Sequence, residues 1–143
     1  MLFLPFSFPT PPRRRLLYVG TDLAVLQTLK DELGDEGWFV VRSPGGNPAV
    51  LLLESEIHYD LLVFDDELAG TTGMELVRLA RSVEHRRQTP MILLSFADCA
   101  IAARRAGADK CLRKPDHIYA LAETVREVGS KFKVQGSKSG ALP

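Results

Sequence analysis

Four places in this sequence carry residues able to do chemistry: Gly20-Thr21-Asp22, Asp65-Asp66-Glu67, Ser95 and Lys114-Pro115. Each follows a short β-type run. A carboxylate at a strand end, such as Asp65, is a candidate nucleophile toward an activated phosphoryl group. The oxygens of the product would need a cation and a hydroxyl donor nearby, and Lys114 and Ser95 are of those types. The same two groups could report the event by moving when the phosphoryl group arrives. Singly, each has an ordinary reading: Asp65 as a turn acid, Ser95 as a loop hydroxyl, Lys114 as a surface lysine. Their joint placement outweighs those readings.

Alternating strand-like and helix-like segments must position them. Arg15–Val19 is a short apolar run closed by Gly20, as expected of a strand buried on both faces. Asp22 then caps a helix with Leu23, Leu26, Leu29 and Leu33 on one side. Trp38–Val41 is a second β-rich run. Asn47-Pro48 reads as an N-cap and first helical residue. Asp60–Phe64 is a third strand, followed by a helix over Met74–Val83 with Leu76, Leu79, Ala80 and Val83 at helical spacing. Met91–Leu94 is the fourth strand. A small Ala-rich helix stops at Gly107, and Lys110–Arg113 is the fifth strand. A last helix aligns Ile118, Leu121, Ala122, Val125 and Val128. Five βα units in a row predict a parallel sheet with helices on both faces and right-handed crossovers. In such sheets the site lies beyond the carboxyl ends of the strands.

The chain has 143 residues, 45% of them apolar and 25% charged, as in one soluble domain. Lys plus Arg equals Asp plus Glu at 18 each, so the balance lacks the basic excess of a nucleic-acid binder. Arg86-Arg87 and the other short basic clusters read as solvated charge. Cys99 and Cys111 make neither a disulfide framework nor a metal pair, and a reducing, cytoplasmic setting is expected. Cys111 reads as packing, and His58, His85 and His117 as surface residues without metal spacing. The Phe- and Pro-rich segment 1–14 has neither the order of a signal peptide nor the length to span a bilayer. The expected organisation is a disordered arm over 1–14, one domain over 15–133 and a disordered tail over 134–143.

The ordered set Asp60-Leu-Leu-Val-Phe-Asp65, Gly73-Met74, Ser95, Ala106-Gly107-Ala108-Asp109 and Lys114-Pro115 resembles the CheY-like receiver domain of bacterial response regulators. The resemblance covers about residues 15–128. It implies a flavodoxin-like, doubly wound five-stranded parallel sheet of order 2-1-3-4-5. It further implies a non-enzymatic signalling module in two-component phosphorelay. Asp65 then takes the place of the phosphoacceptor, Ser95 that of the switch hydroxyl and Lys114 that of the phosphoryl-binding lysine. The partners implied are a histidine kinase or phosphotransfer protein and an output protein, with no nucleic acid and no membrane. Mg2+ is the implied cofactor, held by Asp65 and the Glu67 backbone carbonyl, with Asp22 as a substitute ligand. The Lys114-Pro115 peptide is a candidate for the cis form.

The sequence also departs from that pattern. Two adjacent acidic residues normally follow strand one in the family; here Gly20 and Thr21 stand in their places, and Asp22 is one step late. Mg2+ favours octahedral oxygen ligation with one or two carboxylates, so its assistance is expected to be weak or absent. Asp66 and Glu67 either shift acidic charge across the site or form a solvated loop. Phe96 replaces a small residue, narrowing access to Asp65. Ala69 replaces a loop proline, and Cys111 an aromatic. The stretch from Ser95 to Gly107 is short by about one helical turn, roughly 5 Å. Two readings remain open: a phosphoacceptor with weakened metal assistance, and a pseudo-receiver that binds partners without phosphorylation. A nucleotide- or flavin-binding enzyme is excluded, because no Gly-rich phosphate loop is present.

Overall fold

Leu16, Leu17, Tyr18 and Val19 lose all solvent contact because their strand is flanked on both sides by other strands and covered on both faces by helices. The computed structural model describes residues 13–130. In it β1 (Arg14–Val19), β2 (Trp38–Ser43), β3 (Leu61–Asp65), β4 (Met91–Ser95) and β5 (Lys110–Arg113) form a parallel sheet of order β2-β1-β3-β4-β5. The helices are α1 (Leu23–Leu33), α2 (Gly46–Glu54), α3 (Gly73–Ser82), α4 (Ala100–Ala106) and α5 over 121–130. The expected fold class and strand order are those observed. Arg14 belongs to β1, one residue before the expected domain start; the proposed arm (residues 1–12 of it) and the tail lie outside the described residues.

Alternation along each strand divides the core. Leu17, Val19, Leu62, Phe64, Met91 and Leu93 pack under α2, α3 and α4. Leu16, Tyr18, Leu61, Val63, Ile92 and Leu94 pack under α1 and α5. Each strand thus serves two cores, which is why the runs read as continuously apolar.

Several local expectations are corrected. In α1 the buried residues are Val25, Leu29 and Leu33, whereas Leu23 is 68% exposed and Leu26 only half-buried. Asp22 sets this phase, since its side chain accepts from the amides of Ala24 and Val25 at 3.0 and 3.3 Å. α2 begins at Gly46 with Gly45 as its cap, not at Asn47-Pro48. Pro48 falls within the first turn, where its missing N–H is not needed. In α3, Thr72 and Glu75 form a capping box, and the buried side is Leu76, Val77 and Ala80 rather than one including Val83.

Arg86 is the largest correction. Expected among solvated charges, it is only 1% exposed. Its guanidinium donates to the carbonyls of Leu53, Leu52 and Ser55, each at 3.0 Å, and lies 4.9 Å from the Tyr59 ring centroid. It thereby satisfies the orphan carbonyls at the end of α2 and places a cation on the negative end of that helix. The three histidines are exposed, as expected.

Candidate functional site

Register brings the site together. Val19 pairs with Phe64 across β1 and β3, Asp65 with Leu94, and Ser95 with Arg113. Asp65 therefore stands beside Gly20, one step past the end of β1. Tyr18 and Gly20 share a face, as do Val63 and Asp65. Because Tyr18 pairs with Val63, its side chain can reach forward along this face to the Asp65 carboxylate.

It does so. The Tyr18 hydroxyl donates to Asp65 Oδ2 at 2.7 Å and accepts the Asp22 amide at 3.2 Å. Gly20 makes this bond sterically feasible: a Cβ there would lie 2.2 Å from Asp65 Oδ2 and 2.5 Å from Tyr18 Oη. Gly73 plays a matching part on the other side. A Cβ on it would lie 2.3 Å from the Asp65 carbonyl oxygen and 2.7 Å from Leu93 Cδ1, so α3 can approach the end of β3 only with glycine here.

The other Asp65 oxygen, Oδ1, is buried and accepts no hydrogen bond. Lys114 Nζ lies 3.4 Å from it and 3.2 Å from Asp22 Oδ2, so one buried ammonium is shared by two carboxylates. The Phe96 ring covers that ammonium at 4.8 Å from its centroid, while Phe96 itself is exposed. The peptide joining Lys114 to Pro115 is cis, as expected. Asp65 is 3% exposed. Burial raises its pKa, and the Tyr18 hydrogen bond and Lys114 charge offset this only in part. Burial, with the adjacent Asp65 carboxylate, also drives the Tyr18 phenol far above its ordinary pKa. The phenol therefore remains a proton donor.

The predicted site residues separate into two groups. Asp65, Lys114 and Asp22 come together. Ser95 does not join them: its hydroxyl donates to Glu67 Oε2 at 3.3 Å and accepts the Ala97 amide at 3.1 Å. Asp66, left open between a charged site and a solvated loop, accepts the Met74 amide at 3.1 Å and so steadies the start of α3. Glu67 is exposed and bridges Thr72 across the loop. Tyr18 was missed. Its position in an apolar run suggested core packing, and only its spacing of two from a glycine hinted at a polar role.

A magnesium ion here would need several free oxygen donors around Asp65. Asp65 Oδ2 is taken by Tyr18. Asp22 offers Oδ1 to two helix amides and Oδ2 to Lys114. Asp66 is held by Met74, and Gly20 has no side chain. Among the described residues no group of three or more His, Cys, Asp or Glu is placed to hold a metal. Asp65 Oδ1 carries no hydrogen bond, but the free donors beside it are too few to build a strong octahedral Mg2+ site.

A doubly wound five-stranded sheet with a buried aspartate at the end of β3 and a lysine after β5 defines a receiver-type signalling module. Residues 16–126 match the family model described as the response regulator receiver domain, and the chain belongs to that family. The chain is 32% identical over 125 residues to the virulence sensor protein BvgS of Bordetella bronchiseptica, covering 82% of this chain but 10% of that protein. It is 26% identical over 118 residues to the chemotaxis protein CheY of Pseudomonas aeruginosa, covering 80% of this chain and 94% of that one. Among solved structures, a CheY-like receiver from Methanospirillum hungatei superposes with a TM-score of 0.74 at 25% identity, covering 86% and 98% of the two chains. A response regulator from Chloroflexus aurantiacus gives 0.72 at 27%, covering 82% and 98%. No described helix is long and apolar enough to cross a membrane.

Proposed function

We propose that this receiver accepts a phosphoryl group on Asp65 from a phosphohistidine of a histidine kinase or phosphotransfer protein, acting as a cytoplasmic signalling module. The observation that carries the reading is Asp65 Oδ1: a buried carboxylate oxygen without a hydrogen-bond donor, facing Lys114 Nζ at 3.4 Å. Attack by this oxygen on phosphorus forms the acyl phosphate as the P–N bond breaks. The pair of electrons leaves on the histidine nitrogen. Lys114 is the fixed cation beside the new phosphoryl oxygens. Ser95 would have to exchange Glu67 for the phosphoryl group to act as the switch. With Asp22 engaged by the α1 amides and Lys114, and no acidic side chain at Gly20 or Thr21, magnesium assistance is weak and Lys114 carries most of the charge compensation.

A second reading is favoured by the 2.7 Å bond from Tyr18, which restrains the acceptor carboxylate. On this reading the domain is a pseudo-receiver that binds its output partner without phosphorylation. Intact-mass measurement after treatment with acetyl phosphate, or with a phosphorylated kinase, separates the two. The acceptor reading requires an adduct that is absent from Asp65→Asn and depends little on Mg2+. If no Asp65-dependent adduct forms in the wild type or in Tyr18→Phe, the pseudo-receiver reading stands instead.

A further inference from the structure

The sequence places Cys99 and Cys111 twelve residues apart, in a loop and a strand with no evident relation. The fold brings Cys99, the residue that opens α4, against Cys111 in the middle of β5, with Sγ–Sγ 3.6 Å. Both thiols are free and half-buried. They border a hollow of about 210 Å³, also lined by Arg113 and His117.

We propose that this pair is an oxidation site at which a hydroperoxide forms an intramolecular Cys99–Cys111 disulfide. This inference is independent of the phosphoacceptor reading. Cys99 attacks one peroxide oxygen, the O–O bond breaks, and one water leaves as Cys99 becomes a sulfenic acid. Cys111 then attacks the Cys99 sulfur, the S–O bond breaks, and a second water leaves. Two thiols and one hydrogen peroxide give one disulfide and two waters. Each sulfur gives up one electron, and each peroxide oxygen gains one.

Burial and the neighbouring Cys99 push the Cys111 thiol up to about 12; the disulfide and the two waters are the same whichever sulfur attacks first. Closing the gap to the about 2.05 Å of a disulfide needs a relative sulfur shift of only about 1.5 Å. Such a bond ties α4 to β5. Cys99 lies four residues beyond Ser95 and Cys111 three before Lys114, so the two segments leading out of the site would be fastened together.

The test uses the full chain, reduced, desalted and treated with hydrogen peroxide. Each molecule is expected to lose two hydrogens, to stop reacting with a thiol alkylator, and to yield a cross-linked Cys99–Cys111 peptide that dithiothreitol reverses. Hydrogen–deuterium exchange across 96–113 should slow in the oxidised form. Cys99→Ser and Cys111→Ser should each retain one thiol that gains oxygen without losing two hydrogens. The proposal is overturned if both wild-type thiols still alkylate after peroxide treatment. It is equally overturned if oxidation yields only sulfinic or sulfonic acids or intermolecular dimers.

Discussion

The Tyr18 hydroxyl and the Asp65 carboxylate meet at 2.7 Å across β1 and β3, over a glycine that leaves no room for any other side chain. Donor, acceptor and the empty Cβ position form one steric unit. A side chain on Gly20 and the Tyr18–Asp65 bond exclude each other.

The first prediction concerns Gly20. Restoring acidic residues by Gly20→Asp alone should destabilise the domain, because the new Cβ would lie 2.2 Å from Asp65 Oδ2. Shortening Tyr18 at the same time removes the competitor for that space. The triple variant Tyr18→Val, Gly20→Asp, Thr21→Asp should gain Mg2+-dependent adduct formation with acetyl phosphate, whereas Gly20→Asp/Thr21→Asp should not. Chemical denaturation alongside intact-mass spectrometry checks both statements.

A second prediction follows from pH. Burial holds the Asp65 pKa above its ordinary value. The folded state therefore binds this proton more tightly than the unfolded state does. The associated stabilisation is complete below the unfolded carboxyl pKa, about 3.9, and is lost as pH rises through the folded value. Asp65→Asn removes that loss while keeping an acceptor for Tyr18. Its stability relative to wild type should increase as pH rises from about 4 to 7. Urea titrations at a series of pH values measure the difference; a gap that stays flat or narrows contradicts it.

Lys114 offers a third test, through coupling. Lys114→Met leaves Asp65 and Asp22 without their shared cation, a loss of about 3 kcal/mol for breaking a buried pair. Adding Asp65→Asn removes one of the two stranded charges. The double variant should recover part of that loss, and a double-mutant cycle should report a coupling of at least about 1 kcal/mol. Strict additivity would mean that the 3.4 Å contact contributes nothing to stability.

Arg86 gives a fourth, away from the site. Arg86→Met keeps much of the side-chain volume but takes the guanidinium donor from the buried Leu53 carbonyl and one donor each from the Leu52 and Ser55 carbonyls, which keep Ser55 and His85. The expected cost is at least about 2 kcal/mol, seen as a lower denaturation midpoint. Arg87→Met, at an exposed neighbour, should change stability by less than about 0.5 kcal/mol.

Much of the architecture was legible because β1, β3 and β4 are buried on both faces and so read as unbroken apolar runs. Helix phase was less so. The alternatives Leu23 and Val25 are both apolar, and the choice between them rests on where Asp22 caps. Arg86 shows a limit of composition: a guanidinium looks solvated in sequence unless the carbonyls it caps, more than thirty residues away, are known to lie beside it.

By itself the sequence determined the βα order, the positions of Asp65 and Lys114 at strand ends, and the absence of acidic side chains at Gly20 and Thr21. Those are local properties, fixed by side-chain type and by the period of the apolar residues. The tertiary structure alone decided that Tyr18 is a polar partner of Asp65, that Ser95 faces Glu67, and that Cys99 meets Cys111. Strand register and the twist of the sheet set those contacts, and a hydrogen bond depends on a few tenths of an ångström that no pattern of residue types encodes.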